Sequence, residues 1–376
     1  MKIKTDIKST EIENSEIKPR LKTGAIVTAI NDSDPQSHFI GHSFAGIQIS
    51  HPGAGAILAN FNGALSCLEI SSKTGAPFEV VTKICEELAT ANLIDQIAKP
   101  VILADRFHSE KENRKTFSKD QSKDAAYQQL QEQIAPELGQ ITWQSGIIDA
   151  GVTTLSQRQN IAIDICGDDR LATLLLMLLL GSGVSQTTFA LSNPEREIKI
   201  GDLGIGVFAI SDLGLNLRNR VTELSRSTSL FPIYKNASAE KYLTVIFGAP
   251  DTAKISALLT SNTPHLFISA LDATAIRIGP LVIPGKTPCF RCLELSQLDQ
   301  SPLLSQINQA RNFAPISQLN LAAANLVAGM IAQSVLNYLD TGCSELVGSQ
   351  VIIDTANPCN PQHIAYSIHP ACGCAW

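Results

Sequence analysis

Ile161-Ala162-Ile163-Asp164-Ile165 is followed by the turn Gly167-Asp168-Asp169-Arg170, by the apolar run Leu171–Leu180 and by the segment Val184–Leu191. The first run has the β-branched composition of a buried strand, and the long apolar run is typical of a core helix. Gly181-Ser182-Gly183 is a helix-ending signal, and a second strand follows it. A strand–turn–helix–strand unit of about thirty residues begins a dinucleotide-type α/β fold.

The same alternation of strands and helices continues toward the C-terminus. The apolar patterns predict a mostly parallel sheet flanked by helices, which is a Rossmann-like, doubly wound arrangement. The predicted strands are Tyr242–Phe247, Leu266–Ala270, Gly279–Ile283 and Gln350–Ile353, and the predicted helices are Thr252–Thr260 and Leu319–Leu339.

Two close pairs of cysteines stand far apart in this second half of the chain. One pair lies in Pro288-Cys289-Phe290-Arg291-Cys292, and the other lies in His369-Pro370-Ala371-Cys372-Gly373-Cys374. Each pair can offer two sulfurs to one ion, as a tetrahedral zinc site requires. Cys289, Cys292, Cys372 and Cys374 are therefore predicted to bind a structural zinc that closes the domain without chemistry of its own.

Disulfides and unrelated buried thiols are the alternatives for these cysteines. Disulfides belong mainly to exported proteins, and residues 1–16 are too polar to form a secretory signal. The chain has nine cysteines, so five lie outside the two pairs. Both observations favour metal ligands or buried thiols in a reducing cytoplasm.

Composition limits the remaining classes of protein. The chain has 376 residues, 44% of them hydrophobic and 17% charged, which is ordinary for a globular protein. Its net charge of −6 argues against a nucleic-acid-binding surface. The apolar run Leu171–Leu180 is too short to span a bilayer. We therefore expect a cytoplasmic protein that binds neither nucleic acid nor membrane.

The N-terminal part follows a different pattern. Short strand patterns come first and helical patterns follow: Ala25–Ile30, His38–Ile40 and Ala45–Ile49, then Ala54–Phe61, Ser66–Lys73 and Phe78–Leu93. Three strands and three helices in about eighty residues form a winged-helix plan, which often binds DNA through its last helix. That helix carries Glu79, Glu86 and Glu87 against Lys83 alone, so DNA is not the expected ligand.

These patterns divide the chain into four parts. Residues 1–17 form a flexible arm, and residues 18–97 form the winged-helix-like domain. Residues 98–135 are a polar linker with one helix, because Asp105–Asp124 is dense in charged residues. Residues 136–376 are the α/β domain.

The turn after the first α/β strand is where such folds hold a nucleotide, through glycine amides and a helix N-terminus. Here only Gly167 remains of the glycine pattern, and Asp168 and Asp169 would repel phosphate. Gly167 and Arg170 are the residues that could still contact a nucleotide. The loop is predicted to be degenerate, and binding of Mg-ATP in an altered way is the alternative.

Several motifs together resemble those of ThiF-type proteins, which are relatives of the ubiquitin-activating enzymes. The chain is most similar to the ThiF-like partner, or leader-peptide-binding, proteins of thiazole/oxazole-modified peptide biosynthesis. The motifs that carry the resemblance are Gly279–Pro288 leading into Cys289 and Cys292, the closing His369-Pro370 with Cys372 and Cys374, Gly181-Ser182-Gly183-Val184, and Pro19-Arg20-Leu21-Lys22.

The resemblance implies a division of labour. The activating enzymes bind Mg-ATP and adenylate a C-terminal carboxylate, whereas the partner proteins keep the fold and often lose the nucleotide site. The partner proteins capture a precursor's leader peptide as an added β-strand and present it to a separate YcaO-type enzyme; pairing into homodimers is also implied. This chain departs from the active pattern at Gly167–Arg170, at Phe189–Pro194 after the second strand, which lacks the usual acidic residue, and at Asp202-Leu203-Gly204-Ile205, where arginine is expected.

Strand addition would use Ala45–Ile49 as the exposed edge, with Phe78–Leu93 as the other wall of the groove. Ile47, Ile49, Val81 and Leu88 are the predicted peptide contacts, and ordinary core packing is the alternative for each. The leading prediction is a non-catalytic peptide-presenting protein. An ATP-dependent adenylyltransferase that activates a peptide or protein carboxylate is the alternative.

Overall fold

The chain folds into two compact units, Met1–Leu155 and Ser156–Trp376. The computed structural model describes residues 18–31, 34–97, 132–191, 193–204, 206–231, 233, 241–248, 251–269, 274–303, 306–307, 310 and 319–374. The predicted arm 1–17 and residues 98–131 of the predicted linker lie outside these ranges.

The N-terminal unit is built on an antiparallel sheet of three strands in the order β2-β3-β4. Its strands are β2 (Ile26–Asn31), β3 (Asp34–His42) and β4 (Ala45–Ser50). The helices α1 (Ala54–Leu58), α2 (Cys67–Thr74) and α3 (Phe78–Thr90) follow, close to the predicted positions. A separate two-stranded pair joins β1 (Lys18–Leu21) to β5 (Ile94–Ile97), which the sequence pattern did not reveal.

The three-stranded sheet and the helices α1, α2 and α3 contribute apolar residues to one core in this unit. Val81, Ile84 and Leu88 recur at helical spacing on α3 and are fully buried. Ile40 and Ile49 belong to the same apolar cluster from the sheet side. The apolar face of α3 and the apolar face of the sheet therefore belong to one core.

Residues beyond the predicted linker also belong to the N-terminal unit. Helical residues 132–141 (α4) lead into Thr142, whose hydroxyl donates to the buried Asp95 carboxylate at 2.6 Å. The buried Lys22 ammonium donates to the carbonyl oxygens of Thr142 and Ile147. Burial lowers the pKa of Lys22, while nearby Asp95 raises it. The unit boundary falls after Leu155, within α5 (Val152–Arg158), rather than at residue 136.

The C-terminal unit contains a seven-stranded sheet in the order β12-β11-β10-β9-β8-β6-β7. The strands are β6 (Ala162–Cys166), β7 (Gln186–Ala190), β8 (Lys241–Phe247), β9 (His265–Ile268), β10 (Ala275–Val282), β11 (Ser349–Asp354) and β12 (Gln362–Ala365). The helices are α6 (Arg170–Gly181), α7 (Leu217–Thr228), α8 (Thr252–Thr260), α9 (Phe290–Gln300) and α10 (Leu321–Thr341).

The prediction of a mostly parallel sheet needs correction. The pairs β6–β7, β6–β8 and β8–β9 are parallel, whereas β9–β10, β10–β11 and β11–β12 are antiparallel. A parallel crossover needs a dozen or more residues, and the connections from β9 to β10 and from β11 to β12 are shorter than that. The fold is therefore a mixed α/β fold with one large sheet that contains parallel strands.

Two apolar helices fill the core of the C-terminal unit. Nine of the twelve residues of α6 are buried, and α10 buries Val327, Ile331 and Val335 in the same cluster. Among the described residues, α10 alone has the length and composition that could cross a membrane, and half of its apolar window is buried inside the protein. Buried core helices of globular proteins commonly have this length and composition.

The strand β10 is irregular between Ile278 and Leu281, where Gly279 adopts a φ of +101°. A Cβ atom on Gly279 would lie 2.4 Å from the Ser349 carbonyl oxygen, so only glycine permits β11 to approach this closely. The irregular segment leads directly into the loop that carries the first cysteine pair.

Candidate functional site

The four cysteines predicted to bind zinc lie together in the C-terminal unit. Cys289 is the N-cap residue of α9 and Cys292 follows in its first turn, while Cys372 and Cys374 come from the segment after β12. All four sulfurs lie within 4.8 Å of one another. The fold therefore returns the C-terminal segment to the first cysteine pair, as the spacing predicted.

The separations between these sulfurs match a metal site. The Sγ–Sγ distances are 3.8 Å for Cys289–Cys292, 3.4 Å for Cys289–Cys372 and 3.3 Å for Cys292–Cys374. Four sulfurs about 2.3 Å from a central zinc would be separated by about 3.8 Å. A disulfide needs about 2.05 Å, and all nine cysteines are free thiols in the structure. The donor set fits a zinc ion.

Backbone amides and a histidine organise the loop of the second pair. The His369 amide donates to the Cys292 sulfur at 3.4 Å, and the Cys372 amide donates to the His369 carbonyl at 3.0 Å. The His369 ring instead contacts the Asp299 carboxylate at 2.9 Å through Nε2. His369 therefore shapes the loop and leaves the four sulfurs as the ligand set.

Three of the cluster thiols, those of Cys292, Cys372 and Cys374, differ in pKa when no cation is bound. Burial raises the pKa of Cys292, but hydrogen bonds from the His369 amide and the Cys374 thiol outweigh it and lower the pKa to about 7. Burial and the neighbouring sulfurs raise the pKa of Cys374 to about 11. The pKa of Cys372 is raised for the same reasons. Full ionisation of the cluster therefore requires a bound cation.

A cleft of about 480 Å³ opens beside the cysteine cluster. Leu259, Thr260, Asn262, Pro284 and Arg291 line it together with three of the sulfur-bearing residues, Cys289, Cys372 and Cys374. Cys372 and Cys374 are only half-buried. A metal ion or a chelator therefore has a route to the cluster from solvent.

The second candidate site is the loop between β6 and α6, where a nucleotide would bind. The N-cap residue of α6 is Asp169, whose carboxylate accepts from the Ala172 amide at 2.8 Å. Helix N-terminal amides are the groups that bind phosphate in such folds. In this chain an internal carboxylate already occupies one of them.

Arg196 neutralises the other carboxylates around this loop. Its guanidinium pairs with Asp202 at 2.8 Å and with Asp168 at 3.7 Å. Asp202 is buried and also accepts from the Lys199 amide at 2.8 Å. The loop is thus held by charges of the protein itself.

The two residues predicted as nucleotide contacts make internal contacts. Arg170 donates to the Leu319 carbonyl at 3.1 Å, which ties the loop to the segment before α10. A Cβ atom on Gly167 would lie 2.8 Å from Cβ of Phe247. Close packing against β8 is therefore a sufficient reason for glycine at position 167, independent of any phosphate.

The pairing of Arg196 with Asp202 was not predicted from the sequence, in which Asp202 stood only as a departure from the active pattern. The signal was a repeat, Ile200-Gly201-Asp202-Leu203-Gly204 and Ile210-Ser211-Asp212-Leu213-Gly214. In each copy the aspartate accepts from the backbone amide three residues earlier, at 2.8 Å. Arg196 pairs with the first aspartate and Arg220 with the second. Each copy therefore forms an arginine-anchored turn.

Replacing Asp169 with asparagine tests the charge at the loop. Burial raises the pKa of Asp169, the Ala172 amide lowers it, and nearby Asp168 raises it, so that the net shift is upward. A raised carboxyl pKa means that wild-type stability falls as pH rises through the folded-state pKa. Asparagine keeps the cap without the charge. We expect Asp169→Asn to raise the unfolding temperature by a few degrees at neutral pH.

The gain from Asp169→Asn should shrink as the pH falls from neutral through the folded-state pKa and be lost below the ordinary carboxyl pKa of about 3.9, because Asp169 is then protonated in both the folded and the unfolded wild-type protein. Calorimetric unfolding across this pH range measures the difference. Asp251 is the matched control, since it caps α8 from an exposed position. An equal gain from Asp251→Asn, or a gain from Asp169→Asn at all pH values, would contradict the prediction.

The four predicted peptide contacts are placed unequally. Ile49, Val81 and Leu88 are 1%, 0% and 0% exposed, so they belong to the core and not to an open groove. Ile47 is only partly buried. Ile47 and Ile49 lie two residues apart and therefore face the same side of β4, with Ile49 inside the core and Ile47 at its margin, while the neighbouring Gln48 and Ser50 are exposed. β4 pairs with β3 alone among the described residues, so it is an edge strand.

Comparison with known proteins extends the fold assignment. No protein-family model and no curated protein sequence matches the chain. Among solved structures, E. coli MccB with ATP is 13% identical, with a TM-score of 0.63 over 95% of this chain and 99% of that chain. The microcin C7 biosynthetic enzyme MccB with N-formylated MccA is 12% identical, with a TM-score of 0.63 over the same shares.

A heterocyclase in complex with substrate and cofactor is also similar. It is 14% identical, with a TM-score of 0.54 over 95% of this chain and 39% of that chain. The chain thus spans well under half of the heterocyclase. At these identities the similarities show the fold alone, a mixed α/β fold that MccB shares along nearly its whole length.

Proposed function

We propose that this chain is a ThiF-like protein of ribosomal peptide maturation that binds a precursor's leader peptide and presents it to a partner modifying enzyme of YcaO type. The observation that carries the proposal is the similarity to MccB, which covers 95% of this chain and 99% of a structure containing N-formylated MccA. The heterocyclase similarity supports the link to peptide modification.

The N-terminal unit is the proposed peptide-recognition element. Three antiparallel strands followed by three helices support a winged-helix-like assignment. The peptide would add as a strand to the free edge of β4, where main-chain hydrogen bonds supply affinity. Ala45, Gly46, Gln48 and Ser50 are exposed along that strand. Ile47 is the predicted contact that remains accessible without rearrangement of the core.

The nucleotide loop supports presentation rather than adenylation. Asp169 occupies an amide of the α6 N-terminus, and Arg196 is engaged by Asp168 and Asp202. A triphosphate would have to displace the first contact, and it would find the Arg196 guanidinium already paired with two carboxylates. In the proposed function, the loop between β6 and α6 is therefore a structural remnant of the nucleotide site of a Rossmann-like, ThiF-type fold.

The remaining features of the proposal follow the same family pattern. A zinc ion held by the four cysteines would tie the C-terminal segment to α9 and so close the C-terminal unit. Four thiolates leave no open position, so the ion would take no part in chemistry. We place the protein in the cytoplasm, where thiols stay reduced, and we propose that it forms homodimers.

The second candidate function is an ATP-dependent adenylyltransferase that activates a peptide or protein carboxylate. The observation in its favour is that MccB, with the same fold, has been solved with ATP. Its loop would have to open by rotating Asp169 away from the Ala172 amide. The two functions therefore differ in whether the chain binds Mg-ATP.

Calorimetric titration with Mg-ATP separates the two functions. We expect no binding at millimolar nucleotide, because the helix N-terminus is capped by a carboxylate. ATP–pyrophosphate exchange on the same sample should stay at background. Micromolar affinity together with Mg²⁺-dependent exchange would replace the presenting protein with the adenylyltransferase.

Peptide capture has its own test. Peptides selected from a randomised display library on the wild-type protein should lose at least about tenfold in affinity for Ile47→Lys, because a charged side chain beside the β4 edge must be desolvated. Thr28→Lys, on the exposed strand β2, is the matched control and should keep the affinity. Equal affinity for both variants would place the peptide elsewhere.

A further inference from the structure

The sheet of the N-terminal unit has a second free edge, the strand β2. Within the described part of the chain, β2 pairs with β3 alone. Ile26, Val27 and Ile30 are 53%, 39% and 47% exposed. Adjacent side chains point to opposite faces of a strand, so the exposed Ile26 and Val27 show that both faces of β2 are accessible. An apolar edge strand exposed on both faces is unusual for a single chain.

The outer face of the sheet continues this apolar surface. The Phe39 ring lies over Gly41 and Gly46, where an added Cβ would come within 2.8 Å and 2.3 Å of it. Ile26 is the register partner of Gly41, so its side chain lies beside the two glycines that the Phe39 ring covers. The apolar surface therefore spans the sheet and reaches its β2 edge.

β2 lacks the devices that usually protect an edge strand. Ile26-Val27-Thr28-Ala29-Ile30 contains neither a charged residue nor a proline. Its pairing with β3 is regular from Ile26 to Ala29, and the register shift follows only after Ala29. Unpaired backbone groups along such a strand form a template for another strand.

The apolar pattern of β2 reads nearly the same in both directions about Thr28. In an antiparallel pair centred there, Thr28 faces its own copy, Val27 faces Ala29, and Ile26 faces Ile30. A two-fold interface requires this kind of self-complementarity, and Thr–Thr cross-strand pairs are favourable. We infer that β2 pairs with β2 of a second copy of this chain, which joins two three-stranded sheets into one.

This inference rests on the homodimer of the proposed function and deepens it by naming the strand through which the two copies pair. Pairing through β2 leaves the β4 edge of each copy free, because β2 and β4 lie at opposite edges of the sheet. A strand pair of about five residues buries less surface than a standard interface. We therefore expect a reversible dimer that dissociates upon dilution.

Analytical ultracentrifugation of the full chain across a concentration series tests the dimer. We expect wild-type protein to dimerise and Thr28→Lys to weaken dimerisation at least about tenfold, because two like charges would face each other. Gln48→Lys is the matched control, since Gln48 is exposed on the other edge strand, and it should dimerise as wild type. A monomeric wild type, or a dimer that Thr28→Lys leaves intact, overturns the inference.

A cysteine probe tests the register. In a background with the exposed Cys343 and Cys359 changed to serine, Thr28→Cys should form an intermolecular disulfide under mild oxidation. Ile26→Cys should not, because its two copies would lie about four residues apart along the strands, roughly 14 Å. Cross-linking of Ile26→Cys in preference to Thr28→Cys, or of neither, contradicts the Thr28-centred pairing. A monomer whose β2 is covered by its own residues 1–17 would yield no cross-link and so counts against it.

Discussion

Cys292→Ser and Cys374→Ser are each expected to lose the bound metal and to destabilise the C-terminal unit by at least about 4 kcal/mol, because metal binding contributes directly to folding free energy. The two residues come from different segments whose sulfurs lie 3.3 Å apart. Without the ion, the contact between His369 and the exposed Asp299 of α9 still ties the segment to this helix, but an exposed pair of this kind is far weaker than a zinc–thiolate site. Elemental analysis should fall from one zinc per chain to below about one tenth, since three sulfurs bind far more weakly than four.

Cys343→Ser is the matched control for the metal site. Cys343 is exposed and lies outside the cluster, so its replacement should retain both the metal and the unfolding temperature. A chelator should reproduce the effect of the ligand variants on the wild-type protein. Full metal content in both Cys292→Ser and Cys374→Ser would show that other residues are the ligands.

The second large effect is expected at Arg158, which ends α5. Its guanidinium forms two hydrogen bonds with the Asp340 carboxylate of α10, at 2.9 Å and 2.6 Å, and a third with the Ser182 carbonyl at 2.8 Å. The side chains of Arg158 and Asp340 are 4% and 1% exposed. Arg158→Ala leaves a buried carboxylate without its counter-charge and should cost about 3–5 kcal/mol of unfolding free energy.

Two further variants identify the cause of that loss. Arg158→Met combined with Asp340→Leu removes both charges and should cost less than Arg158→Ala, because no uncompensated charge remains. Arg218→Ala, at an exposed position of α7, should change stability by less than about 0.5 kcal/mol. Calorimetric unfolding measures all three. A double variant as unstable as Arg158→Ala would assign the loss to packing instead of charge.

Local patterns in the sequence were sufficient for many elements of the fold. The helix predicted at Thr252–Thr260 has those bounds in the structure, and the predicted strand Tyr242–Phe247 lies within β8. The cysteine spacing predicted the set of four that the fold brings together. The helix, the strand and each close pair of cysteines depend on neighbours within one turn or one strand, where chain geometry allows few alternatives, and the two distant pairs were joined by the four ligands that a tetrahedral zinc requires.

The sequence was less informative about burial in the N-terminal unit. Ile49, Val81 and Leu88 are apolar residues that fit either a groove or a core, and only their packing against Ile40 and Ile84 assigns them to the core. Periodicity identifies the apolar face of an element, but it does not say what covers that face. The accessible surface instead lies at the two edges of the sheet, which become visible only when the strand order is known.

The loop between β6 and α6 also combines features that are visible in the sequence with contacts that only the folded chain shows. Its missing glycines and its two carboxylates are visible in the sequence from Gly167 to Arg170. The contacts that hold it closed are not, because Arg196 and Leu319 lie at large separations from the loop along the chain. Residue types and local spacing thus define the elements and the metal ligands of this protein. Strand order, burial and the pairing of distant charges follow from the folded chain, because they depend on contacts that no local pattern encodes.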